Sequence, residues 1–428
     1  MLTASSTVPL RPYRYSFPNG LVLLVTPNPA VDVVAARFLM DAGIRREDVN
    51  GWGLSHLVAS VITKGSAAYS SVDVAQIVES MGASLGTDTA PDYAVLSLKA
   101  VSEDFEPLLA LAAEVMRSPT FPAQELEIER QITLQAIAAR QEQPLALALR
   151  PLQEAIYGTH PYAQSSYGTL ETVQNLQVDD LRSFHQRYFR PDKTVVSVAG
   201  NIDPEQAFRW VERYWGDWPP PQRAVPDPPV PLPAARQAPV EILTPQPTQQ
   251  SIIAFGYLGV SVHHPDYWGL KLLLTHLCNG LSSRLFLELR ERQGLAYEVS
   301  GFFPTRQDPA SWVIYLGTRP SQTQVAYEQL RQEITQLVQN DLSREDLTMA
   351  QQKLIGQYTL NKQTNAQLAQ LFGWYEHLGL GEEYDGAYAS CIQAVDLATI
   401  QRIAATYLTI PVCSIVGPEA ILDKLQTP

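Results

Sequence analysis

The sequence predicts an α+β protein of two homologous domains, each a mixed, mostly antiparallel sheet covered by helices on one face. Three observations carry this expectation. At 428 residues the chain exceeds what one ordinary hydrophobic core organises, so two domains of about 200 residues are expected. A stretch with nine prolines among the 21 residues from Pro219 to Pro239 divides it near the middle. The two halves also end alike. "LRSFHQRYFRPDKTVVSVAGNIDPEQAFRWV" and "IQRIAATYLTIPVCSIVGPEAILDKL" each read as an amphipathic helix closing on Tyr (Tyr188, Tyr407). Each continues into a β-branched strand ending in Gly (Gly200, Gly417) and a Pro-bearing helix start.

The remaining elements follow in order. In the first half "LVLLVT" and "YAVLSLKAV" read as strands, and helical patterns cover Phe105–Met116, Glu125–Gln141 and Leu145–Tyr157. In the second half "SIIAFGYLG" and "SWVIYLGT" read as strands, with helices over Gln322–Val338 and Arg344–Leu360. Strands and helices in this order suit a sheet with a helical layer better than a doubly wound sheet. No GxGxxG or GxxxxGK[ST] supports nucleotide binding. The expected domains are residues 1–218 and 242–428. Proline blocks both helix and sheet ladders in the connector, 219–241.

An apolar content of 45% with 18% charged residues describes a soluble globular chain. Its apolar runs, such as Leu108 to Val115, fall far short of the roughly 20 residues a membrane helix needs, so no transmembrane segment is expected. The N-terminus lacks the basic and apolar regions of a secretory signal. Cys278, Cys391 and Cys413 have no CxxC spacing and suit thiols in a reducing compartment, so a cytoplasmic location is expected. A net charge of −13 argues against nucleic-acid binding, which requires a basic footprint.

The stretch "GWGLSHLVASVITKGS", Gly51 to Ser66, belongs with "FLMDAGIRRE" before it and "ESMGASLGTDTAPDY", "SPTFPAQELEIERQI" and "AIYGTHPYAQSSYGT" after it. In order and spacing these segments resemble the insulinase/pitrilysin family of zinc peptidases (inverzincins), particularly its two-domain processing-peptidase branch, over nearly the whole chain. In the signature H-x-x-E-H two His lie on one helix face as zinc ligands and the Glu acts as general base. On the family's frame His56 falls at the first ligand, Ala59 replaces the Glu and Ser60 the second His. Gln135 stands at the expected third-ligand position, 75 residues beyond Ser60. Ala can neither hold nor move a proton, and Gln is a neutral, poor zinc ligand. A catalytic zinc needs three protein ligands and an open position, so no bound metal is expected here, and His56 reads as an ordinary histidine on an apolar face with Leu57, Val61 and Ile62. A metal site rebuilt from distant residues is the alternative. Gly86 stands where the family usually carries an Asn in the edge strand beside the site.

"SSRLFLELRERQGLAYEVSG", Ser282 to Gly301, resembles the family segment that supplies an Arg and a Tyr, seven residues apart, to the substrate backbone and to the oxygen that gains charge. Arg290 and Tyr297 hold those positions. A guanidinium and a phenol both donate hydrogen bonds to such an oxygen. The bland alternative is a solvated Arg at a helix C-terminus and an ordinary strand Tyr. In two-chain members the zinc half-site and the Arg/Tyr half-site come from different chains across a clam-shaped chamber. The resemblance therefore implies a non-catalytic, peptide-binding subunit forming half of a dimer, with zinc in a paralogous partner. A structural scaffold, a homodimer without that partner, and an autonomous metallopeptidase are the alternatives.

Overall fold

The computed structural model describes residues 11–220, 230–339 and 342–425. It contains two sheets built to one plan. The first has β1 (Tyr13–Ser16), β2 (Val22–Pro27), β3 (Val33–Met40), β4 (Ser84–Thr89), β5 (Ala94–Val101) and β6 (Thr194–Gly200) in the order β1-β2-β6-β3-β5-β4. The second has β7 (Val240–Pro245), β8 (Ser251–Leu258), β9 (Glu298–Phe302), β10 (Ser311–Thr318) and β11 (Val412–Gly417) in the order β7-β11-β8-β10-β9. Only β2–β6 and β7–β11 pair in parallel; every other neighbour is antiparallel. The first residues of β7, β8 and β11 follow those of β2, β3 and β6 by the same 218 positions (22 and 240, 33 and 251, 194 and 412). The duplication expected from the chain endings is thus present in strand order, pairing sense and spacing.

Each sheet carries its main helix layer on one face. In the first, helices Phe105–Arg117 and Pro204–Trp215 pack on β5 and β2, and Trp215 meets Phe38 of β3 with ring centroids 4.6 Å apart. In the second, Tyr327 of helix Thr323–Val338 stacks on Phe255 of β8 at 5.7 Å.

The opposite faces are also covered, and here the sequence halves exchange elements. Helix Asn365–His377 lays Leu368, Ala369 and Phe372 against Leu24, Val195 and Ala199 of the first sheet. Its Gly373 approaches so closely that a Cβ there would lie 2.6 Å from Leu39. Helix Pro144–Tyr157 lays Ala148, Leu152 and Ile156 against Ile252, Ala254, Val412 and Val416 of the second sheet. The two compact units follow this exchange: one comprises segments within 1–134, 166–229 and 359–388, the other segments within 135–165, 230–358 and 389–428. The expected domains 1–218 and 242–428 divide the sequence and not the packing. The physical reason lies in the central strands. β6 is buried at all seven positions and β8 at all but its last, so both faces of each demand cover. Of the expected connector, residues 221–229 lie outside the described residues, and 230–239 form no helix or strand.

Candidate functional site

The motif helix, Leu54–Ile62, starts at Gly53 with φ +95°, a left-handed conformation that glycine adopts without steric cost. Gly53 supplies no side-chain cap. Glu47 takes that role from the preceding turn: its carboxylate accepts from the backbone N–H of Gly53 (2.8 Å) and Ser55 (2.7 Å), and from the Ser55 hydroxyl. Burial pushes the Glu47 carboxyl up to about 7 against the opposing pull of these donors. A second clamp comes from "SSYGT". Gly168, at φ +76°, meets the Trp52 backbone so closely that a Cβ would lie 2.1 Å from its carbonyl oxygen, and Thr172 Oγ1 donates to that same oxygen at 2.7 Å. This approach seats the Tyr167 ring on His56, with centroids 4.6 Å apart.

Around the degenerate motif, Leu57, Val58, Ala59, Val61 and Ile62 are buried, whereas His56 and Ser60 are half-buried. The Ala59 carbonyl accepts from Thr87 Oγ1 at 2.5 Å, which ties the helix to β4, the edge strand. Gly86 of β4 has open space where a Cβ would stand, so nothing in the backbone demands glycine there. Gln135 is exposed on helix Ala123–Arg140, on the part of that helix grouped with the second unit. The acidic residue this helix directs to the end of the motif segment is Glu129, whose carboxylate pairs with Lys64 at 3.0 Å. One imidazole, a methyl group and a hydroxyl do not make a zinc donor set, and among the described residues no group of three or more His, Cys, Asp or Glu is placed to hold a metal ion. Zinc does not fit this helix. The buried histidines serve packing. His185 Nε2 lies 2.7 Å from the Met116 carbonyl and is pushed down to about 4 by burial, and His160 Nε2 lies 3.3 Å from Asp308. Burial also pushes the Cys278 and Cys413 thiols up, away from reactivity.

The Arg290 segment has an uncommon backbone. Phe286–Arg292 forms a π-helical turn, a rare conformation found mostly as local bulges and often at functional sites. Its counterpart in the duplicated plan, the element before β4, is an ordinary α-helix, Ser71–Ser80, opened by a capping box. The chain after the turn folds back on the buried Leu289, whose carbonyl accepts from both Leu295 N (2.8 Å) and Ala296 N (3.3 Å), with Gly294 at φ +61° making the reversal. Tyr297 N then donates to Gly317 O at 2.9 Å and leads into β9. The backbone therefore brings the two predicted residues of this segment into one small region. Both are exposed: Arg290 lies 5.0 Å over the Phe286 ring, and Tyr297 is 52% accessible. A third residue joins them that sequence reasoning missed. Arg319, one position past β10, donates from Nε to the Tyr297 phenol oxygen at 2.5 Å and lies 5.6 Å from its ring centroid. The signal that could have found it is the antiparallel pairing of β9 and β10, which sets residues just before one strand beside those just after the other.

Comparison with known proteins bears on the family and the fold. The sequence pattern of the insulinase family (peptidase family M16) matches residues 22–170, and that of the peptidase M16 inactive domain matches residues 175–354. An uncharacterized zinc protease of Bacillus subtilis is 27% identical over 357 residues, covering 83% of this chain and 86% of the relative. One of Mycobacterium leprae is 25% identical over 395 residues, covering 92% and 87%. Among solved structures, a peptidase M16 inactive domain from Pseudomonas fluorescens superposes with TM-score 0.87 at 24% identity, covering 96% of this chain and 98% of the other. A protease from Helicobacter pylori superposes with TM-score 0.90 at 20% identity, covering 95% and 100%.

Proposed function

The chain belongs to the insulinase family, peptidase family M16, and from that membership and the contrast between its two segments we infer that it is the non-catalytic subunit of a heterodimeric zinc peptidase. The observation that carries this reading is an asymmetry. The motif helix keeps its cap, its clamp and its tie to the edge strand but has lost the donors a metal needs. The Arg290/Tyr297 segment, by contrast, keeps both side chains exposed on a specialised turn. A scaffold with no role in chemistry has no use for the second feature. In this reading the zinc and its activated water belong to a paralogous partner. This chain binds the peptide and presents Arg290 and Tyr297 to the oxygen that gains charge, where preorganised donors act most strongly. The chamber is a clam-shaped dimer, and the unpaired thiols fit a cytoplasmic pair.

The test is to mix the chain with an H-x-x-E-H paralogue encoded in the same genome and to follow both assembly and peptide cleavage. A stable heterodimer is expected, with Arg290→Ala or Tyr297→Phe in this chain lowering kcat by about 100-fold. Activity that ignores both substitutions would refute the catalytic role and leave a scaffold. Chelator-sensitive cleavage by the purified chain alone would refute the reading altogether.

A further inference from the structure

We propose that Arg319 is a positioning residue for Tyr297, fixing its phenol so that the single proton points outward to substrate. The proposal rests on the role given to Tyr297 above. A phenol has one proton and an oxygen that also accepts. Arginine has only donors, so at 2.5 Å Arg319 Nε gives a hydrogen and the Tyr297 oxygen receives it. That contact directs the Tyr297 proton elsewhere, and the positive charge beside the oxygen makes the O–H a stronger donor. The guanidinium lies 5.6 Å from the ring centroid as well, so it also restrains the ring.

The backbone on both sides of this contact is fixed. Glu298 pairs with Gly317 across β9 and β10, and Tyr297 N donates to the Gly317 carbonyl. Thr318, wholly buried, donates from Oγ1 to the Leu295 carbonyl at 2.6 Å. After Arg319 the chain enters a 3-10 turn, Pro320–Gln322, in which Gln322 N returns to the Arg319 carbonyl at 2.9 Å. Among the described residues Arg319 makes no ion pair with a carboxylate, and neither does Arg290.

The experiment uses the same reconstituted pair, with kcat and KM measured for Arg319→Gln, Arg319→Lys, Tyr297→Phe and the double variant Tyr297→Phe/Arg319→Gln, each first checked for heterodimer formation by gel filtration. Arg319→Gln is expected to lower kcat about 10-fold with KM within about twofold, since partners that orient a functional group are commonly worth 10- to 100-fold. Arg319→Lys restores part of the loss, and the double variant is no slower than Tyr297→Phe alone. If Tyr297→Phe slows the reaction but Arg319→Gln does not, or if the two effects multiply, Arg319 does not act through Tyr297 and the proposal fails while the role of Tyr297 stands. If Tyr297→Phe changes nothing, the role of Tyr297 fails and that of Arg319 with it.

Discussion

Replacing Glu47 with Gln asks which of two opposing forces governs the cap of the motif helix. Burial favours the neutral acid, whereas two backbone N–H groups and the Ser55 hydroxyl favour the carboxylate. With the folded-state value at about 7 and the ordinary value at 4.5, the folded protein holds this proton longer than the unfolded chain does. The stability from the group is therefore complete below 4.5 and is lost as pH rises through 7. At about 1.4 kcal/mol per unit the loss is about 3 kcal/mol. Gln cannot ionise, so the variant lacks this slope. Its amide nitrogen has no lone pair for an N–H that either acid oxygen can accept, which costs about 1–3 kcal/mol at any pH. Urea unfolding of both proteins at pH 5 and pH 8.5, followed by tryptophan fluorescence, gives the comparison. The variant should be the weaker protein at pH 5 and should draw level with or overtake the wild type at pH 8.5. An equal deficit at both pH values would refute the reasoning, because it would mean that the three donors hold the carboxylate charged throughout.

Two further outcomes are expected. Ala59→Glu alone will not produce peptidase activity in the purified chain, because the metal still lacks ligands at Ser60 and Gln135, and zinc binding worth on the order of 10 kcal/mol depends on a full set. Zinc uptake with chelator-sensitive cleavage by that variant would show that the donor positions are wrongly assigned. Gly168→Ala will lower the thermal midpoint by several degrees, since a left-handed Ala costs about 1–2 kcal/mol before its Cβ meets the Trp52 carbonyl. An unchanged midpoint would place the clamp on His56 outside the stable part of the fold.

The legible parts of this fold were those written locally. The matched chain endings announced the duplication, and the prolines from Pro219 onward marked its midpoint. The motif positions were legible because helical spacing fixes which residues share a face: His56 and Ser60 do lie half-buried on one helix with Ala59 beneath. The exchanged helices were not legible. The spacing of Ala148, Leu152 and Ile156 says that a face is buried and not against which sheet. The unbroken apolar run "TVVSVAG" held a clue, because a strand with no polar face needs cover on both sides. The π-helical turn around the buried Leu289 has no apolar period of its own to announce it, and the Arg319–Tyr297 contact joins residues brought together by strand pairing. Glu47 has no capping spacing in sequence; only the path of the turn brings it to Ser55, eight residues on, at the start of the motif helix.

The exchange of helices bears on how the protein comes into being. While the first half is being synthesised, the apolar strip of Leu24, Val195 and Ala199 has no cover, because the helix that shields it begins at Asn365. A nascent chain in that condition presents an adhesive surface from the synthesis of Ala199 until that of Asn365 and the residues after it, at elongation rates of about 5–20 residues per second. Closure then depends on contacts far apart in the chain, which form slowly. Cutting the gene at the proline-rich connector would leave each piece with one sheet face bare. The chain is therefore a single inheritable unit: its halves are copies in design but cannot be parted, and any fusion, split or shuffling must carry both.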